Sequence, residues 1–213
     1  FLKEGEKIDG EVELFYPCGA LKEKLTYQNG KRHGRGETYH QNGATKMTYT
    51  YADDKGNGAF TTYDAMGTLR EIENYKADVL TGDYRSYFPN GRLESEGQYV
   101  DGTAVGTWSH YHQNGKLERK GAYNDAGDAI GEWLYYDKDG KLTEKRPFDD
   151  DGRRHGANTH YDNDKLHYIN SYKKGVLVQS VFFDTDGKEI GNFGKADGNF
   201  AVNSKSENKE AAF

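Results

Sequence analysis

One repeat limits the folds open to this chain. Residues 106–117 read GTWSHYHQNGKL, and the same order of residue types returns from one end of the chain to the other. Opening glycines, or their equivalent, stand at Gly10, Gly34, Gly58, Gly82, Gly106, Gly131 and Gly156, with Val178 in that role last. Four spacings of 24, two of 25 and one of 22 separate them. A period in this range is the signature of a repeat architecture and outranks local propensity.

Within each unit the positions are regular. Five residues past the opening residue stands a ring: Phe15, Tyr39, Tyr63, Tyr87, Tyr111, Tyr136, Tyr161 and Phe183. Four further on comes a turn glycine in every unit but the seventh, whose YDNDKL lacks it and shifts later positions by one. A leucine at eleven (Leu21, Leu69, Leu93, Leu117, Leu142, Leu166) and a second ring at seventeen (Tyr27, Tyr51, Tyr75, Tyr99, Tyr123, Phe148, Tyr172) complete the pattern. Asn-Gly accepts the positive φ of a tight turn, so each unit reads as strand, tight turn, strand, looser turn. The expected fold is all-β, an elongated solenoid of about eight stacked antiparallel β-hairpins over residues 1–190. Residues 191–213 lose the pattern and are expected to form a polar C-terminal tail or a cap over the last repeat.

Composition agrees. The 213 residues are only 34 % hydrophobic, yet include 17 Tyr, 10 Phe and 27 Gly. A shallow core built from rings fits this better than a compact aliphatic one. Charged residues make up 30 % with a net charge of −6, which lacks the basic stripe of a nucleic-acid binder. No run of about 18 apolar residues is present to span a membrane as a helix. The sequence opens at Phe1 rather than methionine, which leaves a removed leader, and hence the compartment, open.

Strand parity sorts the faces. Positions eleven, fifteen and seventeen share one side, and the ring at five is expected to join them as the packed face. Positions two, four and six are then expected to face the other way, unless a bulge intervenes. That opposite face concentrates rings in the middle units: Tyr84 and Phe88, then Trp108, His110 and His112, then Trp133 and Tyr135. These seven residues are the candidate partner-binding patch, since Trp and Tyr dominate interface hot spots. The bland alternative is that Trp108 and Trp133 roof a curved sheet.

The unit G-x-W-x-x-Y-Y-x-x-[ND]-G-K-L-x-x-x-G-x-Y, best seen in GEWLYYDKDGKL, GTWSHYHQNGKLERKGAY and GDYRSYFPNGRLESEGQY, resembles the bacterial variant of the MORN repeat. The resemblance covers roughly residues 10–190. It implies stacked antiparallel hairpins in an elongated, twisted sheet with a groove, and binding rather than catalysis. Bacterial proteins of this look are often labelled antitoxins or immunity proteins of polymorphic toxin systems, and others are envelope or surface proteins. Eukaryotic relatives are linked to membranes and phosphoinositides.

Other motifs carry no chemistry. His40, His110, His112 and His160 are too widely spread to give one metal its three or four ligands. Cys18 takes a turn slot with no base beside it. Asp149, Asp150 and Asp151 lack the alternating ligands of a calcium loop. No enzyme, metal or cofactor is expected. The expected partner is another protein, a toxin in the first reading and a host or envelope component in the second. A lipid-surface role would want basic clusters beside exposed rings, whereas here Lys and Arg alternate with Asp and Glu.

Overall fold

A computed structural model describes residues 8–195 and 200–204. Among them every regular element is a β-strand, and every pairing between strands is antiparallel. The chain divides into two compact units, Phe1–Gly115 and Lys116–Phe213.

The first unit is a ladder of hairpins. Gly10–Phe15 pairs with Leu21–Gln28, Gly34–Tyr39 with Thr45–Ala52, Gly58–Tyr63 with Leu69–Lys76, and Gly82–Tyr87 with Leu93–Val100. Thr103–Tyr111 pairs onto the last of these. Each hairpin also pairs with the next, as Thr48 opposite Thr61 and Ile72 opposite Arg85 show. In the second unit Ala129–Tyr136 pairs with Leu117–Tyr123 and Leu142–Phe148, and Gly156–Asp162 with Lys165–Lys173. Val176–Phe183 pairs with Lys165–Lys173 and with Glu189–Lys195. The ladder runs on past residue 190, because Glu189–Lys195 also pairs with Phe200–Ser204. The rest of the expected tail, residues 205–213, lies outside the described residues.

Turn chemistry departs from expectation. The Asn-Gly turns within the repeats are the wider ones: Phe88 N–H donates to Arg92 O at 2.8 Å, and in the pair Asn90-Gly91 only the glycine takes a positive φ, 77°. The two-residue turns lie between repeats instead, where both central residues are left-handed, as at Asp53 (51°) and Asp54 (70°) or Ala77 (52°) and Asp78 (70°). This type I′ geometry matches the strand twist. These turns stack on one another: Asp78 N–H donates to Gly56 O at 2.9 Å, while Asp78 Oδ1 accepts from Gly56 N–H at 2.6 Å.

The expected division of faces is overturned by a bulge. In the hairpin opening at Gly82, Tyr84 stands opposite Gly97 and Ser86 opposite Ser95, but Tyr87 stands opposite Leu93. Glu94 is therefore extra, and one inserted residue reverses the parity of the residues beyond it. The same shift recurs at Thr38/Tyr39, Thr62/Tyr63 and Tyr135/Tyr136. Positions fifteen and seventeen consequently share a face with two and four, and the ring at five lies on the other side with three. Tyr39 accordingly reaches Glu37 Oε2 at 2.7 Å, and Tyr111 reaches Glu96, the residue opposite Ser109, at 2.8 Å.

Candidate binding face

The face formed by positions two, four, thirteen, fifteen and seventeen carries the core. In the first unit Tyr49, Tyr51, Phe60 and Tyr75 make one chain of ring contacts, with centroids 5.3 Å apart for Tyr49–Tyr51 and 4.7 Å for Phe60–Tyr75. Tyr84, Tyr99 and Trp108 make a second, at 5.2–5.6 Å, and the His110 ring stacks on Trp108 at 6.1 Å. Offset and edge-to-face pairs of this kind add roughly 0.5–1.5 kcal/mol each beyond area burial.

The rings lie flat because glycine lets them. A Cβ added to Gly97 would stand 2.2 Å from the Trp108 indole, and one on Gly36 would stand 2.2 Å from Tyr49. In the second unit a Cβ on Gly121 would come within 2.0 Å of Trp133, whose Nε1–H donates to Ala122 O at 3.1 Å. Tyr49, Trp108 and Trp133 are consequently only 6 %, 5 % and 3 % exposed.

Carboxylates punctuate these rings. Tyr49 donates to Glu23 at 2.6 Å, Tyr84 to Glu71 at 2.8 Å and Tyr75 to Glu73 at 3.1 Å. Burial and the neighbouring carboxylate together raise the tyrosine pKa values, that of Tyr75 to about 12. Burial, with Glu71 adding to it, also raises the pKa of Glu73.

In the second unit the same face holds a compensated cluster. Arg146 donates to both oxygens of Glu144, at 2.7 and 2.8 Å, and its guanidinium lies 4.3 Å from the Tyr135 ring centroid. Burial pushes the Glu144 pKa upward, but Arg146, with help from Asn158 and His160, holds it below its ordinary value. His160 stacks on Tyr168 at 4.1 Å, with Asn158 Nδ2 2.8 Å from its Nε2.

The sequence candidates divide accordingly. Tyr84, Trp108 and His110 come together on the ring-bearing face of the first unit, Trp108 as a core residue and the other two half-buried. Phe88 and His112 sit at the turns, where Phe88 N–H closes one loop and His112 O accepts from Gly115 N–H. Trp133 and Tyr135 occupy the matching repeat positions in the second unit, Trp133 buried and Tyr135 beneath Arg146. Sequence reasoning missed Glu23, Glu71 and Glu73. Their recurrence at positions thirteen and fifteen was visible, but without the bulge their face was not.

The MORN repeat variant matches four stretches of the chain, residues 8–29, 80–101, 104–125 and 130–150. MORN repeats are protein- or membrane-binding modules, and the family is not one of enzymes. No curated protein matches the chain. Among solved structures, the TcdB2-TccC3 complex is 12 % identical over 90 % of this chain and 13 % of that one, with a TM-score of 0.26. A Tc holotoxin pore from Photorhabdus luminescens, carrying the TccC3-D651A mutation, is 14 % identical over 86 % of this chain and 13 % of that one, with a TM-score of 0.23. The chain thus spans about an eighth of the length of these structures.

Proposed function

We propose that this chain is a non-enzymatic module that binds another protein through the ring-bearing face of its hairpins. One observation carries the reading. In the first unit this face holds two chains of ring contacts, and the described strands of that unit all lie within one paired ladder, with no second layer among them to cover it. A ring-rich sheet face rimmed by polar groups is the composition of a recognition surface. Tyr84 and His110 are its accessible contacts in the first unit and Tyr135 is the matching contact in the second, while Trp108 and Trp133 hold the surface in shape. In its finer form, the module is an antitoxin or immunity protein that covers a bacterial toxin, and its net charge of −6 suits a basic toxin surface.

Site-specific photocrosslinking tests this. A crosslinking residue at Thr62 or Ser86, on the ring-bearing face, should trap one protein that the same residue at Thr61 or Arg85, on the reverse face, does not trap. With that protein purified, Tyr84→Ala and His110→Ala should each weaken binding by about tenfold, as interface rings do. Tyr111→Ala, on the reverse face, should leave it unchanged. Trapping from the reverse face alone overturns the reading. If the partner arrests growth and co-expression of this chain restores it, the immunity form holds. A partner without toxicity assigns the chain to a surface or envelope scaffold instead.

A further inference from the structure

Resting on the binding reading above, the repeats themselves indicate which chemistry the partner brings. In the hairpin that opens at Gly131, Tyr135 stands opposite Glu144 and Trp133 opposite Arg146. Carboxylate, ring and guanidinium form a closed set there, with both Glu144 oxygens held by Arg146 and the guanidinium over Tyr135. The hairpin that opens at Gly58 has the same register, with Thr62 opposite Glu71 and Phe60 opposite Glu73. It keeps the carboxylate at position thirteen, but position fifteen, the place of Arg146, is a second carboxylate, Glu73. Each carboxylate accepts one tyrosine hydroxyl, Glu71 from Tyr84 and Glu73 from Tyr75, and among the described residues neither makes an ion pair with Lys or Arg. Burial, with the neighbouring Glu71 carboxylate adding to it, disfavours the charged form of Glu73.

The rings that would flank a cation are present. Phe60 and Tyr75 are 4.7 Å apart, and Tyr84 is tied to Glu71. A guanidinium already lies on a ring of this unit: Arg32 stands 4.0 Å from the Tyr51 centroid, tethered by Asp54. We propose that a basic segment of the partner protein seats an arginine on Glu71 and Glu73, beside Phe60, Tyr75 and Tyr84, supplying from outside the cation that Arg146 supplies to Glu144 from within. Arginine suits the place better than lysine because its planar fork can bridge carboxylate oxygens while its face lies on a ring.

A fluorescein-labelled hexa-arginine peptide, titrated with the full chain at low salt and followed by fluorescence anisotropy, tests this. The wild-type chain should bind it, and Glu71→Gln/Glu73→Gln should bind it about tenfold more weakly or worse. Asp125→Asn/Glu132→Gln removes two exposed charges elsewhere and should stay within about twofold, which separates a seat from general attraction between opposite charges. Glu73→Arg places an arginine at the Arg146 position, beside the Glu71 carboxylate, within the chain. It should abolish peptide binding while the melting temperature holds or rises, so that loss of binding is not loss of fold. No peptide binding to the wild-type chain, or equal losses in the two double variants, overturns the proposal. A partner trapped on this face that binds Glu71→Gln/Glu73→Gln undiminished overturns it too and leaves the binding reading standing. Failure to trap any protein on this face removes both.

Discussion

At the scale of residues, rings on glycines decide stability. Gly97 faces the Trp108 indole, and an added Cβ would meet it at 2.2 Å, so Gly97→Ala should cost about 1–3 kcal/mol through overpacking. Trp108→Ala should cost about 3–5 kcal/mol, the usual range for a buried large ring. Tyr111→Ala, on the half-exposed reverse face, should cost less than Trp108→Ala. Thermal or urea unfolding of the three variants checks the order. Parity counting on the sequence alone gives the reverse order, because it assigns the ring at five to the packed face. Glu73 adds a pH dependence. Its folded pKa is raised, so the stability it contributes is present below the ordinary 4.5 and is lost as pH rises through the folded value. Glu73→Gln removes that penalty and should raise the melting temperature at pH 7 by up to about 2 °C, a gain that should vanish below about pH 4.5.

At the scale of elements, the hairpins were legible and their turns were not. Glycine spacing marked where the first strand of each of the first four repeats opens, at Gly10, Gly34, Gly58 and Gly82, since alternation and turn residues repeat together. The assignment of tight and loose turns came out reversed. Asn90-Gly91 closes a wider loop in which only the glycine is left-handed, whereas pairs such as Ala77-Asp78, with no glycine, form the two-residue turns. Stacking of these turns across repeats holds them in place: Asp78 bonds the Gly56 backbone twice. Ala77, at φ 52°, lacks a side chain that eases this conformation. Ala77→Gly, or Ala77→Asn, should therefore stabilise the first unit by about 1 kcal/mol, measurable by urea unfolding.

At the scale of the whole molecule, the Glu144 cluster of the second unit and Glu73 of the first should answer acid in opposite senses. In the second unit Glu144 has a lowered pKa, so its contribution is present above 4.5 and is lost as pH falls through the folded value. His160 acts in the same direction, since burial chiefly lowers its pKa and the unfolded chain takes up the proton first as pH falls below 6.5. In the first unit Glu73 is relieved as pH falls. Hydrogen exchange, corrected for intrinsic rates, should show protection of Leu142–Phe148 and Gly156–Asp162 falling between pH 7 and about pH 4 relative to Leu69–Lys76. Arg146→Ala at pH 7 should cost roughly 2–3 kcal/mol, because it leaves the Glu144 charge half-buried without its guanidinium partner, and it should remove most of that acid response.

Residue spacing was enough to establish the period, the hairpins, the all-β class and the positions where rings recur. No tertiary contact needs to supply these. Which rings share a face was decided only in three dimensions. A single extra residue such as Glu94 leaves the period untouched yet turns every later side chain to the opposite side of the sheet. The same holds for the candidate site. Glu71 and Glu144 read alike in the sequence, at one repeat position in two units. Only the packed structure shows that one is closed by its own chain's arginine and the other is not, because an ion pair depends on which side chains the register brings to the same side.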